Sequence, residues 1–316
     1  MHSIFDPSSP QARAIAGLWW WMFAAGALIW LAVTVLALWA ATSSRGHRES
    51  DGLAHVPPAA QQRVERVVVA GVFVTVLVLA GFLSYDFSVG RLLAEHPTHA
   101  LTIDVVGHQW WWEVQYEDPD PSKRVGLANE IHVPVGVMVQ FKLRAADVIH
   151  SFWAPNLNGK RDLIPGYEST LWFKADTPGV YRGQCAEFCG LQHAQMAFHV
   201  VAEPAEKFAA WLAVAATPAA SPTNDTSRYG QTVFMSSGCP LCHSIGGTDA
   251  RGTVGPDLTH FKSRQSIAAG TLANTRANLT RWIENPAAVK PGVRMPALPF
   301  KPAELTALVS YLETLK

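Results

Sequence analysis

Two apolar stretches constrain this chain more than any other feature. Residues 14–41 carry no charge between Arg13 and Arg45, and residues 67–85 carry none between Arg66 and Asp86. A bilayer core needs roughly 20 apolar residues at about 1.5 Å of helical rise each, and both runs supply that. The first is too long for the apolar core of a signal peptide and opens with Trp19, Trp20 and Trp21, an interfacial aromatic cluster. A pair of buried core helices is the alternative. Two runs this apolar, one with Trp at its end, point to an uncleaved transmembrane hairpin with spans at 15–41 and 66–86.

Orientation follows from the flanking charges. Between the spans lie Arg45, Arg48, Arg63 and Arg66 against Glu49, Asp51 and Glu65, whereas only Arg13 precedes the first. The positive-inside rule makes that loop cytoplasmic. Both termini, and the chain after residue 87, are then expected on the periplasmic side of a bacterial inner (plasma) membrane. Glu65 reads as an exposed glutamate at the membrane surface. The formal net charge is +0, so nothing global points to nucleic acid.

The rest changes character three times. Residues 1–90 hold the N-terminal segment and hairpin. Residues 91–203 contain runs such as LTIDVVG, EIHVPVGVMVQFKL and STLWFKA, which alternate apolar and polar positions between turn residues, as in an all-β sandwich or barrel. Residues 204–227 read as a short helix followed by a Pro/Ala/Ser/Thr linker, extended and mobile. Residues 228–316 are helical in pattern, with a Pro/Gly-rich stretch between helices.

CPLCH at 239–243 has the C-x-x-C-H spacing of c-type haem attachment. Cys239 and Cys242 lie a helical turn apart, matching the two vinyl groups of one haem, and His243 is placed to be an axial iron ligand. A thioredoxin-like motif would need a βαβ context, and zinc would need two more ligands. Met295, in GVRMPALPF, is the only methionine downstream and the candidate second axial ligand. His260 is its rival and reads as solvated. This segment resembles a class I cytochrome c, an all-α domain with one covalently bound haem c. By that resemblance Pro256, in GTVGPDL, supports His243.

CAEFCGLQHAQM spans 185–196, with Cys185, Cys189, His193 and Met196 at offsets 0, 4, 8 and 11. A disulfide would leave the histidine and methionine unexplained, and zinc has little use for a thioether. Thiolate, imidazole and thioether together suit copper, and two cysteines suit a sulfur-bridged pair of copper ions. Such a pair needs a second histidine; His150, in DVIHSFWAP after a predicted strand, is the natural candidate.

With GHQWWWEVQY (107–116) and DVIHSFWAPNLNGKRDLIPG (147–166) in the same order, residues 10–203 resemble subunit II of the haem–copper cytochrome c oxidases. The resemblance implies a cupredoxin-like Greek-key barrel carrying the binuclear CuA centre. It assigns one copper each to His150 and His193, bridging to Cys185 and Cys189, weak ligation to Met196 and a backbone carbonyl to Glu187. Trp110 matches the aromatic residue through which electrons enter. Lys160 and Asp162 match a polar stretch facing the oxygen-reducing subunit, and the Glu187 side chain a magnesium site shared with it.

A fused haem domain is similar to the caa-type oxidases. Electrons would pass from cytochrome c or another donor through haem c to CuA, and on to subunit I, the proton-pumping site of oxygen reduction. Subunit III and membrane lipid are the other expected partners. The alternative is the electron-entry subunit of a CuA-containing nitric oxide reductase. A nitrous oxide reductase would not need the hairpin, a quinol oxidase subunit II would lack the copper ligands, and a free-standing carrier would have no oxidase partner. Residues 91–203 hold 9 Lys/Arg and 13 Asp/Glu, a net −4, and residues 228–316 hold 10 and 5, a net +5. This contrast predicts electrostatic docking of the haem domain on the copper domain, weakened by salt.

Overall fold

The computed structural model describes residues 3–43, 58–94, 101–118, 120 and 124–316. It forms two compact units, the apolar helices from Arg13 to Ala94 and a second unit of residues 3–12 with 101–316. Arg45, Arg48, Glu49 and Asp51, on which the cytoplasmic assignment of the loop mainly rests, lie outside the described residues.

Helix α1 runs Pro10–Thr42 and α2 Pro58–Ala94. Both are longer than the charge-free runs, because polar turns at their ends continue the helix. Their apolar side chains point outward all round, Trp30, Leu31, Phe73 and Val74 among them. That is how helices look when their solvent is lipid. Within this unit Gly17 admits the Tyr85 hydroxyl, which would lie 2.9 Å from an added Cβ.

The copper-candidate domain is two five-stranded sheets. One has the order β3 (Val125–Ala128), β2 (Trp111–Tyr116), β1 (Leu101–His108), β5 (Val139–Ala145), β8 (Ser169–Phe173). The other has the order β4 (Glu130–Pro134), β10 (Ala197–Glu203), β9 (Gly179–Cys185), β6 (His150–Trp153), β7 (Arg161–Leu163). The strands fall where alternation predicts them. In β5, Val139, Phe141 and Leu143 are buried, and Gln140 and Lys142 between them are partly exposed. Between the sheets Phe141 stacks on Phe152 at 5.5 Å and Phe152 on Phe198 at 4.3 Å. Gly183 lies opposite Phe198 across the β9–β10 ladder, and the ring occupies the space of a Cβ there, 2.1 Å away.

The N-terminal segment joins this domain. Ser8 N donates to Asn156 O at 2.8 Å, and Ser9 Oγ donates to Leu157 O. Helix α3 (Ala205–Ala215) closes the other end, with Trp211 stacked on His132 at 3.9 Å.

The haem-candidate domain begins earlier than residue 228. Helix α4 spans Asp225–Ser236, capped by the Asn224 side chain on Ser227 N. It crosses α8 (Pro302–Leu312) at Gly230. Between them lie α5 (Cys239–Cys242), α6 (Arg276–Glu284) and α7 (Pro286–Val289). The all-α expectation needs one amendment, a two-stranded ribbon of β11 (Ser266–Ile267) and β12 (Leu272–Ala273). The linker reading also changes. Residues 216–224 lie against the haem domain, where Ala219 N donates to Gly246 O at 3.0 Å. His260 is buried, not solvated, with its ring nitrogens 2.8 Å from Lys316 O and 3.0 Å from Thr217 O. It fastens the linker and the C-terminus to the domain.

Candidate copper and haem sites

Strand β6 starts at His150, β9 ends at Cys185, and the turn after it carries Cys189, His193 and Met196. Antiparallel pairing of β6 with β9 sets Phe152 opposite Cys185 and brings the donors to one end of the barrel. Cys185 Sγ lies 3.7 Å from Cys189 Sγ and 3.9 Å from His150 Nδ1. Cys189 Sγ lies 3.7 Å from His193 Nδ1 and 3.8 Å from Met196 Sδ. Glu187 O is 3.2 Å from Cys185 Sγ. His150, Cys185 and Cys189 form the one three-residue cluster of metal-ligand type among the described residues, and all three are buried.

The electrostatics fit a cation here. The hydrogen bond from Cys189, outweighing burial, holds the Cys185 thiol down to about 3, with help from His150. Its resulting hydrogen-bond demand and charge, added to burial, push Cys189 far up. Deprotonating both thiols this close together would need positive charge between them. Burial opposes a charged His150, but its bonds to Cys185 and Asp147 prevail and raise its pKa. His150 Nε2 sits 2.9 Å from Asp147 Oδ1, which leaves Nδ1 facing the sulfurs. Gly107 packs on this imidazole, where a Cβ would meet Cδ2 at 2.8 Å. Sequence reasoning missed Asp147. The signal was its place three residues before a candidate metal histidine, since such histidines commonly bond a carboxylate through their second nitrogen.

The three consecutive tryptophans separate by position. Trp112 is in the core, its ring 6.0 Å from that of His150. Trp111 stacks on His108 at 4.4 Å. Trp110 occupies the tip between β1 and β2, where its indole N–H donates to Cys189 O at 2.9 Å. Gln109 Nε2 donates to the same carbonyl at 2.8 Å.

Trp110 also lines a cavity shared with Cys239, Cys242, His243, Pro256 and Met295. The haem-attachment pair, its histidine and the candidate thioether are thus brought around one space. Two glycines let the chain close on the Cys242–His243 segment. A Cβ on Gly255 would meet His243 Cε1 at 2.7 Å, and one on Gly252 would meet the Cys242 carbonyl carbon at 2.4 Å. Pro256 O lies 2.7 Å from His243 Nδ1, fixing the ring with Nε2 toward the cavity. Burial lowers the His243 pKa against that bond, keeping the imidazole neutral as an iron ligand must be. The residues fit a haem.

At the exposed edge Lys160 Nζ lies 3.1 Å from Asp162 Oδ1 and 3.3 Å from Glu187 Oε2. The haem domain meets the copper domain through the ribbon and the segment after α7. Ala197 N donates to Ala269 O at 3.0 Å, Gln265 N to Glu130 Oε2 at 3.0 Å, and Gln192 Nε2 to Pro291 O at 2.8 Å.

Two helices long and apolar enough to cross a membrane, a cupredoxin-like barrel and a helical haem-type domain make up the described chain. Residues 122–203 match the family model of the cytochrome c oxidase subunit II periplasmic domain, and residues 227–316 match that of cytochrome c. Subunit 2 of cytochrome c oxidase from Alkalihalophilus pseudofirmus is 40% identical over 219 residues, 69% of this chain and 62% of that protein. Its Bacillus subtilis counterpart is 31% identical over 228 residues, 69% and 63% of the two chains. The periplasmic domain of cytochrome oxidase subunit II from Bradyrhizobium japonicum is 34% identical, with a TM-score of 0.35, covering 38% of this chain and 95% of that one. The chain thus carries a domain like the periplasmic domain of cytochrome c oxidase subunit II and, after it, a cytochrome c domain. It spans 62–63% of the length of the two curated relatives.

Proposed function

We propose that this chain is the electron-entry subunit of a caa-type oxidase, taking electrons from cytochrome c or another donor and delivering them to subunit I. When bound, a covalent haem c and a CuA pair would each take up and release single electrons. Cys239 and Cys242 would hold the haem by thioethers, His243 and Met295 would bind its iron, and Pro256 O would orient His243. His150, Cys185, Cys189, His193, Met196 and the Glu187 carbonyl would hold the copper pair.

The observation that carries this reading is the position of Trp110. Its ring lines the haem-side cavity, and its indole N–H bonds the carbonyl of Cys189. The protein thereby offers a short bonded route between the two sites.

Lys160 and Asp162 are proposed to face subunit I, and the Glu187 carboxylate, held here by Lys160, to share a magnesium ion with it. Subunit III and lipid would complete the assembly in a bacterial inner membrane. The bonds tying residues 3–12 to the copper domain support an N-terminus on its side, the periplasmic one. Domain limits at 91–203 and 225–316, with 204–224 joining them, suit this division of labour.

The test uses the full chain purified with its associated subunits. Cys185→Ser or Cys189→Ser should abolish the near-infrared copper absorption and oxygen consumption with reduced cytochrome c, while haem absorption stays intact. Turnover of nitric oxide in place of oxygen would reject the oxidase assignment.

A further inference from the structure

Lys290 is the least expected residue at the junction of the two domains. It lies in AAVKPGVRMP, five residues before Met295, and its side chain is among the largest fully buried in the protein at 2% exposure. Lysine is almost never buried without partners, because an ammonium removed from water must recover its hydrogen bonds. Here it finds three carbonyls. Nζ donates to Gln195 O at 2.8 Å, Trp110 O at 2.9 Å and Ala268 O at 3.2 Å. An ammonium has three N–H groups and no acceptor, and the three carbonyls match them, while burial lowers the Lys290 pKa to about 7.

Two of those carbonyls belong to the copper domain, and both are placed beside its chemistry. Gln195 precedes Met196, and Trp110 is the residue whose indole bonds Cys189 O. The third is in the ribbon of the haem domain, at a turn where Ala268, Ala269 and Gly270 take φ of 52°, 56° and 75°. That left-handed turn offers Ala268 O to Lys290 and Ala269 O to Ala197 N. One side chain thus ties the segment of the candidate haem thioether, the segment of the candidate copper thioether and the tryptophan between them.

We propose that Lys290 is a positioning residue, a buried latch that fixes the haem crevice over Trp110 and so sets the geometry of electron transfer between the two sites. The electron-transfer part rests on the proposed function; the latch does not. Only one electron moves in that step, and no bond forms or breaks. Buried charges are screened by salt far less than exposed ones. Transfer within the latched chain is therefore independent of salt, unlike transfer governed by the opposite net charges of the domains.

The test compares the full chain in detergent with Lys290→Met, which keeps the stem and removes the donors. Amide hydrogen exchange is followed in segments 190–197 and 265–270, with α4 and the barrel strands as folding controls. Losing bonds to a charged group is expected to speed exchange in both segments at least about tenfold, with the controls protected. Haem-to-copper transfer after flash reduction should be flat from about 0.01 M to about 1 M salt in the unaltered chain. It should be slower and salt-dependent in Lys290→Met. Unchanged exchange and a flat, undiminished rate in the variant would overturn the latch. If α4 loses protection in Lys290→Met, Lys290→Gln replaces it. That shorter, neutral donor should give exchange between the two, and exchange equal to the unaltered chain would overturn the latch equally. A chain lacking the copper or haem absorption would refute the proposed function while leaving the exchange result to judge the latch.

Discussion

Asp147 divides its carboxylate between the candidate copper site and the tip that bears Trp110. Oδ1 holds His150 Nε2 at 2.9 Å, and Oδ2 accepts from Gln109 N at 2.7 Å. Burial opposes the charge, but these bonds and one from Val148 N keep its carboxyl below the ordinary aspartate range. Asp147→Asn keeps the shape and weakens the acceptor toward His150. Copper affinity, measured by chelator competition on the near-infrared band, should fall about 10–100-fold with haem content unchanged. Equal affinity would remove Asp147 from the site. At this scale the sequence was legible where spacing is local. Cys185, Cys189, His193 and Met196 were visible as a set, and His150 as the histidine after a strand. Lys290 was not visible, because its partners are backbone carbonyls, which leave no mark on composition or spacing.

Elements were legible by period and less so by junction. Alternation located the strands, and the apolar runs located both long helices. The ribbon of β11 and β12 was hidden because alanine seldom takes positive φ, so SIAAGTLA does not announce a turn through Ala268 and Ala269. The crossing of α4 and α8 was hidden for a related reason, since a lone helix glycine reads as a weakness until its neighbour is known. A Cβ on Gly230 would lie 1.9 Å from Ala307 O and 2.8 Å from Tyr311 Cβ. Backbone cannot yield as a side-chain tip can. Gly230→Ala should therefore force the helices apart and destabilise the haem domain by about 1–3 kcal/mol, despite alanine's better helix propensity. Thermal melting followed at the haem band checks this. An unchanged or higher melting temperature would mean that the helices re-dock without loss.

Across the whole molecule, the opposite net charges of the domains suggested docking through exposed charge. The described contact is built differently, from a few buried polar groups. Glu130, on the edge strand β4, is the acidic one, accepting from Gln265 N across the junction at 3.0 Å. Its other neighbours are His132 Nε2 at 3.2 Å, with Glu203 3.5 Å from the far ring nitrogen, Arg264 of the haem domain, and His199, which faces Ser266. Burial alone would raise the Glu130 pKa. Bonds from His132 and Gln265 N, with the charges of His132 and Arg264, outweigh it and hold the carboxyl below the ordinary range. A depressed carboxylate stabilises the folded, docked form fully above its unfolded pKa of about 4.3, and that contribution is lost as pH falls through the lower folded value. Exchange at 265–270, corrected for its intrinsic pH dependence, should thus be constant from about pH 6 to about pH 5, where the Lys290 ammonium is also charged, and rise below about pH 4. Glu130→Gln removes the charge at every pH. Its exchange should be faster by about tenfold at neutral pH, and the step below pH 4 should shrink because one of the groups causing it is gone. A step of the same size in the variant would assign the acid sensitivity to other carboxylates, leaving Lys290 as the dominant tie between the domains.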